Sequence, residues 1–247
     1  MPEIRDTSSS RDTDGAPVVL ITGAGRGIGR ATAEAFAGAG WTIVIAELRP
    51  TLGRHAERAL IEQGAAAKFI RTDVADERSV RRTLGEALRR FGRLDCVVNN
   101  AGVITPGPLA RLPGKDLDRM LAVNLRGPLL MTRAALPALI RQRAGCIISV
   151  ASQLGKQGLA DYATYCATKF GVVGFTEALA DELSATGVSV WAVCPGLVDT
   201  DMARRAVGVT ERERAGLIKP QSVARVIADL AMGKRRPPSG TAVDVLR

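Results

Sequence analysis

The sequence is poor in the residue types that staple chains or hold metals. It has four cysteines and one histidine in 247 residues. None of Cys96, Cys146, Cys166 and Cys194 forms a C-x-x-C pair, and His55 alone cannot complete a metal-ligand set with them. No metal is expected. Three of the cysteines sit in apolar, strand-like surroundings, where a thiol behaves as a small hydrophobe. All four are read as reduced thiols of a cytoplasmic protein. Aromatics make up only 4% of the chain, which leaves the core to Val, Ile, Leu and Ala. No run nears the roughly 18 apolar residues a membrane span needs. Residues 1–16 are polar, lack the apolar stretch of a signal peptide, and read as a disordered arm. Acidic residues are outnumbered, and the formal net charge is +9. The basic residues are scattered along helix-like segments, and the longest cluster is Lys234-Arg235-Arg236. No aromatic-interleaved basic stripe accompanies them, so a solvated surface is preferred to a nucleic-acid site.

What the sequence does have is alternation. Short β-branched runs at 18–21, 41–46, 67–71, 94–99, 146–150, 188–194 and 241–245 are apolar on both faces. That pattern suits parallel strands covered on each side. Between them, segments such as 28–39, 77–91 and 165–183 carry helix formers at helical spacing. The order predicts an α/β fold: a Rossmann-type, doubly wound, seven-stranded parallel sheet with helices on both faces. Residues 17–247 form a single domain of ordinary size for this class, with no internal repeat.

The first strand runs into Thr22-Gly23-Ala24-Gly25-Arg26-Gly27-Ile28-Gly29. Glycines there let the chain turn tightly and let backbone approach a ligand. The helix that follows directs its N–H groups and positive dipole end at the same spot, which suits a pyrophosphate. A glycine loop alone also fits an ordinary tight turn; the strand before it and the helix after it make it a dinucleotide loop. The second strand ends at Glu47, 18 residues past Gly29, near the distance at which an acidic residue meets the adenosine ribose. Its carboxylate would accept ribose hydroxyls and repel a 2′-phosphate, so NAD is favoured over NADP. Arg26 and Arg49 argue the other way, since either could hold that phosphate.

Tyr165 and Lys169 stand at i and i+4 on a helical segment and share a face. An ammonium about 4 Å from a phenol supplies roughly 4 kcal/mol at an effective dielectric of 20, enough to lower a tyrosine by about three units. The bland alternative is an ordinary surface pair. Tyr162 has no such partner, because position 166 is cysteine. Just before this segment, Ser149 and Ser152 lie at or beyond the C-terminal end of a predicted strand, where α/β sheets bind ligands; on this ground both qualify.

These residues give the chain a resemblance to the short-chain dehydrogenase/reductase family, from Val18 to about Val245. Six motifs match in order: the glycine loop, Asp73-Val74, Asn99-Asn100-Ala101-Gly102, Asn124, Ser152 with Tyr165 and Lys169, and Pro195-Gly196. The resemblance selects Ser152, because the family places its serine thirteen residues before the tyrosine. It implies that Tyr165 is the general acid or base and that Ser152 holds and polarises the substrate oxygen. It implies that Lys169 tunes Tyr165 and bonds the nicotinamide ribose, and that Asn124 positions a water for proton relay. Asp73 and Val74 are implied to contact adenine, and Asn99, Ala101 and Gly102 to line the cofactor cleft. Pro195-Gly196 would end the sixth strand, with Val198 and Thr200 at the carboxamide. For Asn99 to Gly102 a purely structural loop is the competing reading.

The reaction implied is hydride transfer between a nicotinamide dinucleotide and a small-molecule secondary alcohol or ketone. One alternative is a 3-oxoacyl-(acyl-carrier-protein) reductase. Relatives of that kind carry basic residues on two long helices, where this chain has Pro137 and Asp181. Another alternative is a non-catalytic dinucleotide-sensing protein on the same scaffold; a sensor has no need of Ser152, Tyr165 and Lys169. Two further departures from the family bear on the substrate end: a short lid from Met202 to Pro220, and Val245-Leu246-Arg247 in place of a closing Gly-Gly. The segments 129–141 and 165–183 are apolar around more than one face, and in this family such helices pair across a twofold axis. A homodimer or homotetramer is expected.

Overall fold

The computed structural model describes residues 15–208 and 214–246. Residues 1–14 of the polar arm, 209–213 of the lid and Arg247 lie outside the described residues.

Seven strands form one parallel sheet in the order β3-β2-β1-β4-β5-β6-β7. They are β1 (Val18–Thr22), β2 (Thr42–Glu47), β3 (Ala67–Arg71), β4 (Cys96–Asn99), β5 (Gly145–Val150), β6 (Val188–Pro195) and β7 (Ala242–Val245). Helices α1 (Gly27–Gly38), α2 (Pro50–Glu62) and α8 (Pro220–Ala231) cover one face, joined to the sheet through Phe36, Leu60 and Ile227. Helices α3 (Glu77–Phe91), α5 (Gly127–Gln142) and α6 (Ala163–Glu182) cover the other, through Leu84, Met131 and Leu179. Two shorter helices, α4 (Gly114–Met120) and α7 (Asp201–Val207), sit beyond the ends of the strands. Strands buried on both faces need apolar residues throughout, which is why β1, β2 and β4 are buried at every position.

The expected strand at 94–99 starts two residues late for a visible reason. Leu94 is bonded by the amide of Gln142, at the end of α5, whose Oε1 accepts from Leu94 N at 3.2 Å and whose Nε2 donates to Leu94 O at 2.7 Å. A side chain there takes the place of the ladder. All four cysteines are buried free thiols, including Cys96 and Cys146, which are register partners on β4 and β5.

The sheet order reverses between β1 and β4, with crossovers leaving to either side. Loops after neighbouring strands diverge there and open a crevice at the carboxyl ends. That crevice holds the candidate site.

Candidate active site

A single cavity of about 1360 Å³ runs along the crevice, from Glu47 and Asp73 at one end to Ser152, Tyr165 and Lys169 at the other. Its floor is the glycine loop. Gly23 and Gly27 have φ of +64° and +55°, a region that side chains with a Cβ rarely adopt. The loop is also tight. A Cβ on Gly29 would lie 2.4 Å from both Asn100 Nδ2 and Gly23 O. Gly29→Ala is expected to destabilise the fold by about 1–3 kcal/mol, as overpacking does, and to distort the loop. Calorimetric melting of the variant checks this; an unchanged transition would show that both Asn100 and the Gly23 carbonyl can give way.

The acidic end is built on backbone. The Glu47 carboxylate is buried, accepting from Gly25 N at 3.2 Å and Arg49 N at 3.1 Å. The two arginines that could oppose it are engaged. Arg49 lies 3.9 Å from Glu47, and Arg26 reaches across the crevice to Asp201 at 3.3 Å. Asp201 also pairs with Arg204, and Arg204 with Asp199, tying α7 into a chain of charges. Asp73 and Val74 line the cavity, as do Arg26, Ile28, Ala101 and Gly102. Pro195, Gly196, Val198 and Thr200 line it from the opposite side. Thr200 caps α7, accepting from Ala203 N at 3.2 Å.

Four expected site residues stand behind the wall instead of on it. Thr22 is a brace: its hydroxyl accepts from Asn100 N at 2.9 Å and Ala101 N at 3.0 Å. Gly29 lies under the loop, where its role is the close approach already described. Asn99, expected to line the cleft, is directed into the α5 layer and donates to Thr132 Oγ1 at 3.1 Å and Ser149 Oγ at 3.3 Å. The strand's alternation explains it, since Val97, two residues earlier, belongs to the same layer. The neighbour the sequence reading left without a role does the work at the wall. Asn100 Nδ2 donates to Thr22 O at 2.8 Å and Gly23 O at 3.2 Å, gripping the glycine loop. Asn124 lies in a π-helical turn, Leu121–Arg126, of the kind found at functional sites. Its amide clamps Val103 from both sides, with 2.8 Å bonds to Val103 N and O, and is buried.

At the chemical end, Ser149 is fully buried and bonded by Asn99, whereas Ser152 lines the cavity. Ser152 Oγ accepts from Leu154 N at 3.1 Å, and its side chain stands beside the Tyr165 phenol, whose charged form it favours. Lys169 Nζ donates to Val150 O at 2.8 Å and lies 5.5 Å from the centre of the Tyr165 ring. The expected lowering of Tyr165 by this lysine is not the dominant effect here. Burial pushes the phenol up to about 12, with the neighbouring Ser152 hydroxyl offsetting part of it. Burial likewise pushes Lys169 down to about 8. Removing charge from water outweighs an attraction acting over this separation.

Sequence reasoning also missed a support for Ser152. Asp244 on β7 accepts from Gln153 Nε2 at 2.7 Å and from Lys156 Nζ at 2.6 Å, while Gln153 also donates to Cys194 O at 3.0 Å. The edge strand thereby holds the turn that follows Ser152. Tyr162 is not idle either: its hydroxyl donates to the α7 carbonyl of Ala206 at 3.2 Å.

The cavity fits a nicotinamide dinucleotide on its own terms. A cradle that Cβ atoms would fill lies at its centre, a buried carboxylate at one end, and a proton-carrying pair at the other. Comparison with known proteins agrees. The sequence model of "short chain dehydrogenase" matches residues 17–208. A 3-oxoacyl-(acyl-carrier-protein) reductase of Synechocystis is 38% identical over 76% of this chain and 76% of its own. A sorbitol dehydrogenase of Cereibacter sphaeroides is 40% identical over 73% of this chain and 70% of its own. The crystal structure of a 3-ketoacyl-(acyl-carrier-protein) reductase from Brucella melitensis, complexed with NADH, superposes with a TM-score of 0.85 at 32% identity. It covers 93% of this chain and 96% of that one. The chain belongs to the short-chain dehydrogenase/reductase family, and it is an NAD(P)-dependent oxidoreductase acting on CH–OH and keto groups.

Proposed function

We propose that the protein interconverts a small secondary alcohol and its ketone with NAD(H) as the preferred cofactor. The observation that carries this is the continuity of one cavity from a buried Glu47 to Ser152 and Tyr165. The nicotinamide supplies or accepts the hydride. The residues of the chain do the rest. Ser152 binds the substrate oxygen and polarises it. With its phenol at about 12, Tyr165 stands protonated near neutrality and donates to the carbonyl oxygen in the reducing direction. Lys169 bonds the nicotinamide ribose and adds positive charge beside the phenol, which favours proton loss in the oxidising direction. Asn124, through its clamp on Val103, shapes the wall and completes the proton relay from Lys169 to solvent. Backbone groups of the glycine loop hold the pyrophosphate, Asp73 and Val74 the adenine, and Val198 and Thr200 the carboxamide.

The experiment is to follow nicotinamide absorbance with a panel of alcohols in one direction and ketones in the other. Absence of any substrate-dependent change in either direction would overturn the reading.

A second reading, reduction of 3-oxoacyl groups on a carrier protein, is supported by the names of the Synechocystis and Brucella relatives and by the +9 charge. Against it, the helix positions expected to be basic are the exposed Pro137 and Asp181. We place the enzyme in the cytoplasm on the strength of its four free thiols. Its quaternary state follows from α5 and α6, which leave Leu129, Ile140 and Phe170 exposed by 38–45% after burying their other faces. Apolar faces of this kind mark a partner surface. Light scattering at micromolar concentration is expected to give a dimer or tetramer; a strict monomer would contradict the assignment.

A further inference from the structure

Beyond Ser152 and Tyr165 the cleft is walled by Ile104, Leu154, Leu159, Leu197, Met202 and Val207. Leu159, Leu197 and Val207 are 53%, 42% and 52% exposed. Large apolar side chains open to water within a concave site mark a surface that a ligand covers. The bond from Tyr162 to Ala206 O holds α7, and with it the neighbouring Val207, against this wall.

Most donors of the same wall are already engaged. The Gln153 amide donates to Cys194 O and Asp244. The Tyr162 hydroxyl donates to Ala206 O. Arg204 is held between Asp199 and Asp201. Ser152 and Tyr165 face the reacting oxygen. Among the described residues, Gln157, Arg205 and the acceptor oxygens of Gln153 and Tyr162 are what this wall leaves for further substrate hydroxyls, with Asp118 and Arg119 lining the same cavity. A polyol brought here would lose water at several hydroxyls and regain few partners, which is costly for each one left unpaired. Hydrocarbon would lose nothing and would cover the exposed leucines.

We infer that the substrate is a ketone, or the matching secondary alcohol, with bulky hydrocarbon on at least one side of the carbonyl, and not a polyol. The inference rests on the dehydrogenase reading above and names the substrate class for it.

The test compares NADH-dependent reduction of β-tetralone, cyclohexanone, D-fructose and acetoacetyl-N-acetylcysteamine, a carrier-free thioester. The kcat/KM for β-tetralone should exceed that for cyclohexanone by roughly ten- to a hundredfold, the range for added hydrocarbon in an apolar pocket. D-Fructose should be the poorest of the ketones. A Leu159→Ser, Val207→Ser double variant changes two exposed positions, and circular dichroism checks that it folds. It should bring the β-tetralone to cyclohexanone ratio to within a few-fold of one, chiefly through KM. Faster turnover of D-fructose or of the thioester than of β-tetralone would overturn the inference and leave the oxidoreductase reading standing. An unchanged ratio in the double variant would also overturn it. No turnover of any probe, with NADH binding intact by fluorescence, would overturn the reading and the inference together.

Discussion

Tyr165→Phe is expected to lose turnover by about 10²–10⁴-fold, the range for a general acid–base group, while keeping the fold and the cofactor affinity. The substitution removes one oxygen and nothing else. The ring stays in the same half-buried place on the cavity wall, so no new void forms. The Ser152 side chain beside the phenol retains its bond from Leu154 N. A melting transition within a few degrees of wild type and an NADH dissociation constant within about threefold would show that the loss is chemical. Tyr162→Phe is the control. Its hydroxyl serves the lid through Ala206 O at 3.2 Å, so that variant should lose several-fold in kcat/KM, and mainly through KM. The two tyrosines lie three residues apart on one wall of the same cavity. Near-normal turnover in Tyr165→Phe together with collapse in Tyr162→Phe would exchange their roles and remove Lys169 from the mechanism.

The fold was legible because the sheet is buried on both faces, which writes each strand as an apolar run without alternation. The glycine loop was legible for a different reason. A backbone that must turn at Gly23 and approach a neighbour at Gly29 excludes a Cβ, and that exclusion is visible in one sequence. What failed was which of two adjacent residues faces the crevice. Asn99 and Asn100 are the same residue type, yet one continues the α5 side of β4 and the other leaves the strand end. Counting alternation from Val97 would have separated them. The same counting separates Ser149 from Ser152, since Ser149 shares the side of Ile147. The Asp244 network was out of reach by any local pattern, because Gln153 and Asp244 are 91 residues apart and meet only when β7 docks on β6. The state of Tyr165 was out of reach as well. The i, i+4 spacing places the lysine on the correct face, but how much water the phenol has lost is set by helices and turns packed around it.

Wild type is expected to bind NADH more tightly than NADPH by about ten- to a hundredfold, and Glu47→Ala to narrow that gap. A charge-assisted hydrogen bond contributes roughly 1.5–3 kcal/mol, and Glu47 can offer such bonds to the ribose. The structure adds a second cause that the sequence did not show. The Glu47 carboxylate already accepts the backbone N–H groups of Gly25 and Arg49. These are donors that a 2′-phosphate in this place would need. The residue therefore acts as a resident anion, repelling the phosphate and occupying its donors. The opposing arginines are turned to other uses, Arg26 toward Asp201 and Arg49 toward Glu47 itself. Both side chains are partly exposed, and exposed ion pairs are weak, so the arginines offset the preference without reversing it. In Glu47→Ala the two N–H groups and Arg49 are released together. NADPH affinity should then rise more than NADH affinity falls. The measurement is the dissociation constant of each reduced cofactor for both proteins by fluorescence titration. Tighter binding of NADPH by wild type, with the order unchanged in the variant, would mean that Glu47 serves the loop alone and that Arg26 leaves Asp201 for the phosphate. Asp201→Asn would then strengthen NADPH binding by a few-fold, since Arg26 would have no partner to leave, whereas with Glu47 in control it should change that affinity little.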